Sequence, residues 1–72
     1  MRTEDIGNNA GIVWHTLHSN NQGMTLQELM DVTHLDYFEI ATAIGWLARE
    51  NKIITNESEG KYMLTIFTEY YF

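Results

Sequence analysis

Apolar residues in this chain recur first with a helical period. Ile6, Ala10, Val13 and Leu17 fall at i, i+4, i+7 and i+11, which is one face of a helix, and Trp14 lies beside that stripe. The spacing predicts a helix from about Thr3 to Ser19. Thr3 or Asp5 is the expected cap, and Glu4 and Asp5 suit the positive end of the helix. Ser19-Asn20-Asn21-Gln22-Gly23 breaks the pattern. Thr25 followed three residues later by Glu28 is a capping box, and Leu26, Leu29 and Met30 give a short stripe of about two helical turns. Thr33-His34-Leu35 reads as a turn. A second capping box, Asp36 with Glu39, opens a helix that runs to about Asn51. Its core stripe is Ile40, Ile44 and Leu47, with small Ala41 and Ala48 alongside, and Asn51 suits a left-handed stop.

After Lys52 the period changes to two. Ile53 to Asn56 reads as a strand, Glu57-Ser58-Glu59-Gly60 as a turn, and Lys61 to Phe67 as the return strand, with Tyr62, Leu64 and Ile66 on one face. A brief extended piece near Gly23-Met24 offers a third strand. The order helix, short helix, turn, helix, hairpin is the plan of an α+β winged helix-turn-helix, with three helices and a two- or three-stranded antiparallel wing. Residues 1–72 are expected to form one domain, with a core over about 4–67 and an aromatic tail over 68–72.

MTLQELMDVTHLD, followed by a helix ending in GWLARENKI and a short hairpin, resembles a family of small bacterial winged helix-turn-helix proteins of unknown function. Ile6-Gly7, Ala10-Gly11 and Trp14 also resemble that family. The likeness covers roughly Ile6 to Leu64. It implies the winged fold and homodimerisation, and it brings no catalytic residues.

Composition narrows the partners. Four Lys or Arg stand against ten Asp or Glu, a net charge of -6. Such a chain repels nucleic-acid phosphates and anionic lipids. Cysteine is absent, so no disulfide framework or cysteine-based zinc site is expected, which fits a reducing cytoplasm. Met1-Arg2-Thr3-Glu4-Asp5 is not the basic-then-apolar start of a signal peptide, and no apolar run approaches the ~20 residues of a membrane span. A chain this short buries only a bit over half of the surface its unfolded form exposes, which leaves a thin stability margin, so a second copy is an expected source of stability.

Were the third helix to read DNA, Asp36, Tyr37, Glu39, Thr42 and Ala43 would be its groove-facing positions. Two of these are carboxylates, and the wing turn carries Glu57 and Glu59 with Lys61 as the nearby cation. Arg49 and Lys52 sit at the far end of that helix. DNA is therefore disfavoured by charge. His15 and His18 lie three apart on the first helix, but no third ligand accompanies them, so no metal is expected. His34 reads as a turn residue. Asp31 with Asp36 and Glu57 with Glu59 read as solvated acids, and no catalytic or cofactor-binding motif is present, so neither an enzyme nor a cofactor is expected. The candidate dimer or partner surface is Gly7, Gly11, Trp14, Trp46, Tyr70, Tyr71 and Phe72: two glycines that let a helix approach, and aromatics of the kind enriched at interfaces. The expected function is a non-catalytic, cytoplasmic, homodimeric interaction module. The alternative is a transcription regulator that binds DNA through the third helix and the wing.

Overall fold

A computed structural model describes residues 1–67. It contains α1 (Thr3–Ser19), β1 (Met24–Thr25), α2 (Leu26–Thr33), α3 (Tyr37–Arg49), β2 (Ile53–Ser58) and β3 (Lys61–Ile66). The three strands form one antiparallel sheet in the order β1-β3-β2. The tail residues Tyr70, Tyr71 and Phe72 lie outside the described residues.

Both predicted capping boxes form. The Thr25 hydroxyl accepts from the Glu28 N–H at 3.1 Å, and the Glu28 carboxylate accepts from the Thr25 N–H at 2.9 Å. Asp36 and Glu39 repeat the exchange at 2.8 and 3.0 Å. Each box satisfies two of the backbone groups that a helix start leaves unpaired. The start of α1 differs from expectation. Arg2, not Thr3 or Asp5, occupies the cap position, while the Asp5 carboxylate reaches back to accept from the Arg2 N–H at 2.8 Å.

The turn between α2 and α3 is closed by His34 in the left-handed conformation, with φ 62°, and its N–H donates to the Met30 carbonyl at 2.9 Å. α3 ends at Arg49, two residues short of the expected stop, because Glu50 closes the last turn first. Asn51 then takes the expected left-handed conformation, φ 58°. The wing turn is tighter than predicted. Glu57 and Ser58 remain in β2, and only Glu59 and Gly60 turn, at φ 53° and 77°. Two successive positive φ values match the right-handed twist of the flanking strands.

The core is Ala10, Val13, Leu17, Met24, Leu29, Ile40, Ala43, Leu47, Ile53 and Leu64, all buried. The apolar stripe predicted for α1 supplies three of them. In α3 the stripe is rotated. Ile40, Ala43 and Leu47 face inward, Ile44 is half-buried, and Ala41 and Ala48 are exposed. Alanines at the core of both α1 and α3 leave little side-chain volume there, so the two helix backbones can pack closely.

Candidate interaction surfaces

The outward face of α3 and the inward face of the wing meet at a cleft. Strand alternation sends Ile53, Thr55 and Glu57 to the same side of β2, and register puts them opposite Ile66, Leu64 and Tyr62 of β3. At the base of this face Ile53 and Leu64 enter the core. Farther out, Thr55, Tyr62 and the outer edge of Leu64 line a recess of about 260 Å³ with Leu26 of α2 and Tyr37, Ala41 and Ile44 of α3. Among the described residues no charged side chain lines it. Tyr37 and Tyr62 are 62% and 58% exposed, so the aromatic walls stand open to solvent.

The positions expected to face a DNA groove divide between different environments. Asp36 and Tyr37 are exposed, while Glu39 and Thr42 are half-buried. Asp36 and Glu39 are occupied in the α3 capping box, and the Thr42 hydroxyl donates back to the Phe38 carbonyl at 2.9 Å. Ala43 is a correction. It is 0% exposed in the core and cannot face a groove. The true inward stripe runs through residues 40, 43 and 47, and the helix turns Ala41 outward in its place.

A second concavity lies between α1 and the C-terminal end of α3. Gly7, Ala10, Gly11, Trp14 and His15 of α1 line it together with Trp46, Leu47 and Lys52, around about 310 Å³. Four of the seven expected interface residues, Gly7, Gly11, Trp14 and Trp46, therefore share one trough. Trp46 is 44% exposed. A Cβ added at Gly7 would sit 3.8 Å from the Trp46 ring, an ordinary contact, and one added at Gly11 would meet nothing within 4 Å. Packing within the chain thus requires neither glycine, although each costs helix stability relative to alanine, about 0.5–1 kcal/mol. Trp14 stacks on His18 at a ring separation of 4.9 Å and meets His15 edge-on at 5.3 Å. Among the described residues no three His, Cys, Asp or Glu side chains converge as a metal site would need.

A third recess, between the starts of α1 and α3, is lined by Met1, Asp5, Asn9, Asp36, Phe38 and Glu39. Its carboxylates already serve the two helix starts. The cations are scattered. Arg2 pairs with Glu4 at 3.3 Å on an exposed surface, Arg49 ends α3, Lys52 borders the trough, and Lys61 opens β3.

A helix-turn-helix whose third helix is followed by a β-wing, with a third strand closing the sheet, matches one family model over residues 1–66: the winged helix-turn-helix domain DUF2582. The chain belongs to that family. A protein from Bacteroides thetaiotaomicron, solved in solution by NMR, is similar to this DUF2582 domain at 36% identity and a TM-score of 0.82, over 92% of this chain and 79% of that one. The curated proteins contain no match.

In this DUF2582 domain the trough was largely legible in the sequence and the cleft was not. Gly7, Gly11 and Trp14 share one helix, so spacing alone groups them. Leu26, Ala41, Ile44, Thr55 and Tyr62 come from three separate parts of the chain. The available signal was the run of uncharged residues from Ile40 to Ala48 on a helix with a single inward stripe, which leaves apolar positions over for a second face.

Proposed function

We propose that this domain is a non-catalytic, cytoplasmic interaction module that acts as a homodimer and engages proteins rather than nucleic acid. The observation that carries the reading is the α1–α3 trough. It presents a 44% exposed tryptophan over two glycines that the chain's own packing does not need. Small residues flanked by aromatics let a second helix approach closely and bury large apolar area when it does. The small size of the domain adds a reason for pairing, and the cysteine-free composition suits a reducing compartment. The carboxylates at the helix starts are held in capping bonds, and among the described residues lining the recess between the starts of α1 and α3 there is no nucleophile paired with a base.

Sedimentation tests the reading. At high micromolar concentration the chain should run at twice its 8.4 kDa mass. Gly11→Lys places a long charged side chain in open space, so its circular dichroism should match the parent while its mass falls to the monomer. A parent chain at 8.4 kDa would overturn the dimer. A folded Gly11→Lys chain that stays dimeric would remove the trough as its interface.

DNA binding is the second reading, and the juxtaposition of α3 with the wing favours it, since winged helices present those elements to a groove. The charge distribution, four cations against ten acids, opposes it.

A further inference from the structure

The cleft between α3 and the wing shares no lining residue with the α1–α3 trough, so it needs an occupant of its own. Its floor and walls are mostly apolar or aromatic, and an acid stands at its edge. Glu57, exposed, lies directly across from Tyr62 on the same face of the sheet. Asp36 and Glu28 are held in the capping boxes of α3 and α2, and Asp36 lines the recess toward α1 instead. Lys61, next to Tyr62 at the start of β3, is the nearby cation.

Three classes of occupant can be compared on these facts. A second copy of this chain brings ten acids against four cations to an edge that presents Glu57, whereas the α1–α3 trough offers it a seat with Lys52 and no acid among its described lining residues. Duplex DNA meets the same repulsion and finds no row of cations on α3. A free small molecule usually takes a cavity of roughly 300–1,000 Å³ that encloses most of it, whereas this recess of about 260 Å³ is open beside two exposed tyrosines. Its size suits a few side chains presented by a longer segment, as when an amphipathic helix lays its apolar face in a groove. Opposite charge at the edge then sets orientation and speeds encounter.

We propose that the α3–wing cleft receives a cationic amphipathic segment of another protein, with its apolar side chains against Tyr37, Ala41, Ile44 and Tyr62 and its Lys or Arg side chains toward Glu57. The surface a winged helix normally turns to DNA is here a peptide groove.

The probe is a synthetic helical peptide with leucine along one face and lysine on the flanks, titrated into the full ¹⁵N-labelled chain. Its counterpart has every lysine replaced by glutamate. The lysine peptide should give saturable amide shifts centred on Tyr37, Ala41, Ile44, Thr55 and Tyr62, and should bind at least tenfold more tightly than the glutamate peptide. Ala41→Lys adds a cation at an exposed helical position, so it should leave the spectrum folded and weaken the lysine peptide at least tenfold. Absence of saturable binding would overturn the proposal, as would equal binding of the two peptides or shifts centred on Gly7 and Trp46. So would duplex DNA producing the same cleft shifts. The oligomer mass of Ala41→Lys should equal the parent's, which separates this test from that of the trough.

Discussion

At the scale of single residues, Gly23 is the most constrained position. Its φ is 98°, and an added Cβ would come within 2.8 Å of Thr65 Cγ2 and 3.4 Å of the Leu64 carbonyl. Gly60 has φ 77° but open space around it. The pair separates two effects that are usually confounded. Gly60→Ala imposes backbone strain alone, whereas Gly23→Ala adds a collision with β3 where β1 pairs to it. We expect Gly23→Ala to cost more than about 1 kcal/mol and clearly more than Gly60→Ala, as read from urea midpoints. The opposite ranking would mean that β3 moves aside easily. The sequence marked Gly23 only as part of a break, because the atom it would strike belongs to a strand some forty residues later.

At the scale of elements, the capping box of α2 couples helix stability to pH. The Thr25 backbone N–H, then the Thr25 hydroxyl, and to a smaller extent Lys61, hold the Glu28 carboxyl below its ordinary value of 4.5. A carboxyl with a lowered folded pKa stabilises fully above its unfolded pKa and loses that contribution as pH falls through the folded one. Glu28→Gln keeps an acceptor for the box but not the charge. It should therefore be less stable than the parent at pH 7, and the gap should narrow as the pH falls below the ordinary value of 4.5. A gap that does not change with pH would place the effect elsewhere. Thr25→Ala removes the cap itself and should cost about 1 kcal/mol at pH 7. Both capping boxes were legible because each lies within four consecutive residues. The rotation of α3 was not. Ile44 and Ala43 are neighbours, and which of them faces inward is decided by how closely α1 packs, not by the hydrophobicity of either. That misreading sent Ala43 outward and concealed the part that Ala41 and Ile44 play in the cleft.

At the scale of the whole molecule, the arrangement of charge matters more than its sum. The four cations stand at the start of α1, at and just beyond the end of α3, and at the start of β3, so none lies along the first two turns of α3. Non-specific affinity for DNA comes from phosphates neutralised by Lys and Arg, and the four cations of this chain are spread over its surface. A mixed-sequence duplex at low salt should therefore give no mobility shift with this chain at micromolar concentration. A complex that forms there and weakens steeply with added salt would restore the DNA-binding reading. The order of elements was legible from hydrophobic period alone, since helices and strands impose different spacings. The cleft became visible only once α2, α3 and the wing were folded against one another.

β1 is only two residues long, yet it ties the wing to the helix-turn-helix. The hairpin of β2 and β3 closes through a two-residue turn and needs nothing else to begin. Met24 reaches Leu64 across roughly forty residues, and closing a loop of that length carries an entropic cost the hairpin avoids. α2 and α3 occupy that interval. Because Thr25 is at once a member of β1 and the cap of α2, one residue joins the base of the wing to the first turn of the helix-turn-helix, and a substitution there reaches both.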